Sequence, residues 1–127
     1  FTMGNEVPNV RGDADYEHVT KLWGSETWII NNPMYCGKML SIGYGHHTSM
    51  HFHALKHETM LCVEGSFEIF FIDPSGDRIS RKLQQGESII IEPNTPHEIW
   101  GTSEFNMLFE FSTQHFDSDS YRVGKPG

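Results

Sequence analysis

His51 and His53 stand two residues apart, and Glu58 follows five further on, in the run GHHTSMHFHALKHETMLCVEG from Gly45 to Gly65. In an extended strand, residues i and i+2 leave the same face, so the two imidazoles can address one point. A short turn over residues 54–57 would bring the next strand back alongside, with Glu58 near its start. Two neutral imidazoles and a carboxylate are a ligand set for a divalent first-row metal, and they leave coordination positions open. His57 adjoins Glu58 and competes with it, but neighbours on a strand face opposite ways, so only one of the two points inward.

Placing such ligands together takes strands, and the chain reads as strands throughout. Residues 16–23 and 27–31 carry β-formers, the first ending at Trp23-Gly24 and the second at Asn31-Asn32-Pro33. Residues 36–44 alternate, with Lys38, Leu40 and Ile42 on one face, and residues 49–53 and 59–63 follow. Ser66–Ile72 (SFEIFFI) is apolar on both faces, which points to a strand packed on both sides, one side covered by a second subunit. Asp73-Pro74-Ser75-Gly76-Asp77 is a hairpin turn, with Pro presetting φ and Gly tolerating a positive one. Residues 78–83 return from it, 87–91 form a β-branched run, 92–96 are a proline-bounded loop, and 97–100 and 106–112 complete the set. No window holds a helical period. Short strands at turn spacings of about ten residues predict an antiparallel sandwich or barrel.

The 127 residues are read as a single domain, with residues 1–15 an irregular arm and the polar tail 113–127 lying across the outside or capping the mouth. Nine basic residues against 17 acidic give a formal charge of −8, which argues against nucleic acid and anionic membranes as partners. No apolar stretch approaches the ~18 residues of a membrane span, and no basic-then-apolar leader opens the chain, so a cytoplasmic protein is expected. Cys36 and Cys62 are expected to be reduced, buried thiols.

With the strands placed, the run from Gly45 to Gly65 resembles the first motif of the cupin superfamily: glycine, five residues, His-x-His, three or four residues, Glu, six residues, glycine. Gly45, His51, His53, Glu58 and Gly65 meet every spacing, and the motif selects Glu58 over His57. Gly86 to His97 (GESIIIEPNTPH) is similar to the second motif. Its loop departs from the family pattern, with Glu92 in the proline place and Asn94 in the glycine place; Asn is the next best residue for a left-handed turn. The resemblance implies an all-β, jelly-roll cupin barrel, usually dimeric. It also implies one divalent metal (Mn, Fe, Zn, Ni or Co) held by His51, His53, Glu58 and His97. Trp23-Gly24-Ser25-Glu26, Phe109 to Thr113, and Asp117, Asp119 and Arg122 are similar to segments of mannose-6-phosphate isomerase-like cupins.

Outside the motifs, Glu110 alternates against Phe109 and Phe111, so it faces either the lumen or the outside. Inward, it would serve as a general acid or base. Lys38 has the same two options, and inward it would meet an anionic substrate group. Arg122 would clamp a phosphate or carboxylate, and His46, in the turn after Gly45, would steer the anionic end or decorate the rim. Met34, Met39, Met50, Met60 and Met107, with Trp28 and the phenylalanines, read as core or dimer contacts. The leading functional expectation is a metal-dependent isomerase or epimerase of a sugar or sugar phosphate, moving a proton through an enediolate. The alternatives are an Fe(II)-dependent dioxygenase and a non-catalytic sugar-binding or sensing module, with a small sugar or polar anion as the ligand in the binding readings.

Overall fold

The computed structural model describes residue 4 and residues 6–124; the remaining parts of the expected arm and tail, residues 1–3, 5 and 125–127, lie outside the described residues. The strands are β1 (Glu17–Lys21), β2 (Gly24–Asn31), β3 (Cys36–Ile42), β4 (His51–Phe52), β5 (Glu58–Glu64), β6 (Ser66–Ile72), β7 (Arg78–Gln84), β8 (Ser88–Ile91), β9 (His97–Gly101), β10 (Met107–Ser112) and β11 (Tyr121–Arg122). One sheet has the order β1-β2-β3-β10-β5-β8 and the other β11-β4-β9-β6-β7, with antiparallel pairing between neighbours. The two sheets face each other as a jelly-roll sandwich.

Along the inward face, each central strand passes from a polar residue to apolar ones. β3 runs Lys38, Leu40, Ile42; β5 runs Glu58, Met60, Cys62; β9 runs His97, Ile99; β10, in the reverse direction, runs Glu110, Leu108. Register lines these up, Glu110 opposite Lys38 and Leu108 opposite Leu40 and Cys62. One end of the sandwich is therefore an apolar core, in which Leu40, Ile42, Met60, Cys62, Phe67, Ile69 and Leu108 pack together. The other end is a polar cavity.

A clamp holds the core end closed. The buried Asn106 amide donates to the carbonyls of Ile42 (2.9 Å) and Ser103 (2.7 Å), and its oxygen accepts from the N–H groups of Ser66 and Ser103. Gly65 sits against it at φ +76, and a Cβ there would lie 2.0 Å from the Phe105 carbonyl oxygen. Only glycine fits that corner.

The structure bears on several expectations and changes some of them. The strand expected over residues 49–53 contracts to His51–Phe52, with the Met50 carbonyl just before it accepting from the N–H groups of Val123 and Gly124 of the tail. The tail itself forms β11 beside β4, a strand too short to carry a period. Trp28 lines the cavity and Met34 is exposed, whereas Met50 and Met60 are buried. On SFEIFFI, Phe67 and Ile69 point into the core, and outward Phe70 meets Trp100 and the Arg78 guanidinium of the same chain. Cys36 and Cys62 are free and buried. No helix among the described residues is long and apolar enough to cross a membrane.

Candidate metal centre

β4 carries His51, and His53 follows just beyond its end; β9 pairs with β4 so that His97 stands opposite His51. The three imidazoles offer ligand atoms that lie within 4.8 Å of one another. Each ring spends its Nδ1 on a backbone carbonyl: His51 on Ser49 (2.9 Å), His53 on Asp119 (2.9 Å) and His97 on Thr95 (2.8 Å). Those bonds fix the Nδ1–H tautomer and leave the three Nε2 lone pairs as the free donors, as metal-ligating histidines are held.

Glu58, at the start of β5, closes the group. Its Oε1 lies 3.2 Å from His97 Nε2 and its Oε2 lies 3.8 Å from His53 Nε2. Both carboxylate oxygens are fully buried without a well-directed hydrogen bond, although Lys56 Nζ is 3.2 Å away at ion-pair distance. A buried acceptor left open in this way is costly unless something else satisfies it. Ligands bound about 2.1 Å from one ion stand roughly 3 to 3.5 Å apart, which matches the spacing of Glu58 from His97. The donor set thus fits a divalent metal. His57 is exposed, so of the two competing residues Glu58 is the inward one.

Burial favours neutral imidazole at His51, pushing its pKa down to about 3, and it lowers His53 as well. At His97 burial acts in the same direction, but the adjoining Glu58 carboxylate outweighs it and raises the pKa. Burial alone would raise Glu58; His97 and Lys56 beside it hold it well below the usual carboxylate range.

No family model matches the sequence, and no curated protein matches it. Solved structures do. A capsular polysaccharide assembling protein, CapF from Staphylococcus aureus, superposes with a TM-score of 0.77 at 21% identity, over 86% of this chain and 32% of that one. Oxalate decarboxylase from Bacillus subtilis superposes with a TM-score of 0.81 at 13% identity, over 94% of this chain and 33% of that one. The chain has the cupin fold. It spans about a third of the length of each of these proteins.

The cupin cavity beyond the histidines holds about 460 Å³. Glu110 points into it and is buried, while Phe109 and Phe111 face out. Lys56, which sequence reasoning did not single out, donates to Glu110 Oε2 at 2.7 Å and bridges it to Glu58. Burial lowers the pKa of Lys56, but Glu110 and Glu58 together more than reverse this and raise it. Lys38 also points inward, its Nζ 3.8 Å from Glu26 Oε1 and 3.8 Å from the centre of the Trp28 ring. His115 closes the same side, 3.2 Å from Lys56 Nζ and edge-on to Trp28.

Arg122 reaches the mouth of the cupin cavity from β11. His46 does not reach it: the residue is exposed in its turn, with its ring against Gly43. The tail caps the mouth, as one of the two sequence options had it, through His115, Asp117, Ser120 and Arg122. Its anchor is Asp119, whose buried carboxylate accepts the N–H groups of Ala54, Leu55 and Lys56 at 2.9–3.2 Å while its carbonyl holds His53. Lys56 lies in the turn before β5, where parity does not set side-chain direction, so the sequence held no strand signal for it. Asp119 carried none either, because its partners lie more than sixty residues away. In the second motif, Asn94 takes φ +62 where the family pattern has glycine, as its residue type predicted.

Proposed function

We propose that the protein is a metal-dependent isomerase or epimerase of a small sugar or sugar phosphate, working by proton transfer between neighbouring carbons. The observation that carries this reading is a buried carboxylate, Glu110, in the same cavity as the four metal-type donors but spaced from them by Lys56. A divalent metal held by His51, His53, Glu58 and His97 would supply the positive charge that polarises a substrate carbonyl. Glu110 would take the proton from the carbon beside that carbonyl and, in an isomerase, return it to the former carbonyl carbon while the neighbouring hydroxyl proton passes to the former carbonyl oxygen. Lys56 aims Glu110 through a 2.7 Å charge-assisted hydrogen bond. Ser112 Oγ donates to the same Glu110 oxygen at 3.2 Å and fixes it further. Arg122 would meet the substrate at the mouth. The likeness in fold to a protein that assembles capsular polysaccharide accords with a sugar substrate.

A homodimer belongs to the same proposal. The outer face of the six-stranded sheet exposes Val63, Ile90 and Phe111 beside Leu61, Met39 and Phe109, and none of these positions is charged. A second copy of the same neutral face is self-complementary.

The test is turnover of a panel of aldoses and aldose phosphates by metal-reconstituted protein under anaerobic conditions. Glu110→Gln should retain its metal and lose turnover by about 10²–10⁴-fold. Full activity in that variant would remove Glu110 from the role, and turnover that requires oxygen would replace the isomerase with an oxygenase.

A further inference from the structure

Lys38 is buried to 3% exposure, yet its ammonium group donates no hydrogen bond to any described residue. Its charge is nonetheless balanced. Glu26 lies at 3.8 Å, the Trp28 ring covers it at 3.8 Å, and Glu110 stands opposite it in the register of β3 and β10. Glu26 is fixed in place by a 2.7 Å bond from Trp28 Nε1. Lys56 next to it is balanced likewise by Glu110 and Glu58. The wall beyond His51, His53 and His97 is thus two ammonium groups beside carboxylates, with His115 at its edge and an open donor at Lys38 Nζ facing the cavity.

A group that is electrically satisfied but short of acceptors suits a neutral oxygen. A phosphate or carboxylate would gain from Lys38 but would also meet the charges of Glu26 and Glu110 on the same wall, in a site where burial strengthens like-charge repulsion. A hydroxyl accepts from Lys38 and can donate to Glu26 or Glu110, so it satisfies both signs. Lys38 sits two strand spacings from β5, roughly 10 Å across the sheet, which is the scale of a small sugar reaching from Lys38 toward Glu58 at the start of β5. The mouth adds Lys21 and Arg122 against Asp117, but these lie at the opening and not on this wall.

We infer that this wall receives the neutral, hydroxyl-bearing end of the substrate and disfavours a phosphate there, with Lys38 the residue that reads it. The inference rests on the isomerase reading above and selects, within it, the free sugar over the sugar phosphate.

The test is calorimetric titration of the zinc-loaded protein with sorbitol and with its terminal monophosphate. Sorbitol should bind about tenfold or more tightly than the ester. Lys38→Met should weaken sorbitol about tenfold, the worth of a hydrogen bond to a charged group, with zinc content and melting temperature unchanged. Glu26→Gln, which leaves Lys38 charge in excess, should shift preference toward the ester even if the Lys38 variant does not fold. Tighter binding of the ester by the unmodified protein, or an unchanged sorbitol affinity in folded Lys38→Met, overturns the inference and leaves the isomerase reading standing. Zinc-loaded protein that binds neither compound overturns both.

Discussion

At the scale of single residues, the centre depends as much on what holds the imidazoles as on the imidazoles themselves. Asp119 is the clearest case, because one residue braces His53 through its carbonyl and the 54–56 loop through its carboxylate. Asp119→Ala should therefore lower zinc affinity by about 10–100-fold, the usual cost of removing an outer partner of a metal ligand. Asp119→Asn, which keeps acceptor oxygen for the loop, should lose less; calorimetry on the chelated proteins checks both. The histidines also set an acid limit on the metal-free protein. His51 stays neutral when folded down to about 3, whereas unfolded it takes a proton near 6.5, so the unfolded state binds more protons between those values. Stability should fall as pH drops through that window, by about 1.4 kcal/mol per unit from His51 alone. His97, whose folded pKa is raised, completes its contribution by pH 6.5 and does not offset the loss below it. Melting curves of chelated protein from pH 7 to 4 measure this. Parity made His51, His53 and Glu58 legible in the sequence, and it left Glu110 and Lys38 with two options each. Those options closed only when register set Leu108 and Leu40 beside them in the core. His46 shows the opposite limit: a turn residue has no parity to read.

At the scale of elements, the strands divide into a rigid apolar half and a polar half that can be remodelled. Leu108, fully buried between Leu40 and Cys62, belongs to the first. Leu108→Ala should cost about 2–5 kcal/mol by urea unfolding, because the close-packed layer around it cannot collapse into the space. Long strands were legible because an alternating or continuously apolar run of about seven residues bounded by turn residues is a strong signal, as at Ser66–Ile72, found with its boundaries intact. β11 was not read as a strand and β4 was read too long, as residues 49–53, since two residues carry no period and their pairing is decided by partners from the far end of the chain. The tail's place was left open between outside and mouth for the same reason. What settled it was a buried aspartate whose carboxylate hydrogen bonds are all long-range.

At the scale of the whole molecule, the cupin sandwich brings together residues from both motifs, the tail and β10 around one cavity, and a bound ion would tie them. Metal should stabilise the fold by linkage, about 2.7 kcal/mol at a free concentration 100-fold above Kd, visible as a melting temperature that rises with added zinc. If the outer face of the six-stranded sheet joins two copies, Phe111→Glu should give a monomer by sedimentation while leaving the metal centre intact. The claim on which everything else depends is that His51, His53, Glu58 and His97 form one metal site. Zinc titration of chelated protein, followed by calorimetry alongside the His53→Ala and His97→Ala variants, tests it most directly. One ion per chain, with affinity lost by at least about 100-fold in either variant, is the expected result. Failure of the unmodified chain to bind, or equal affinity in the variants, would contradict it.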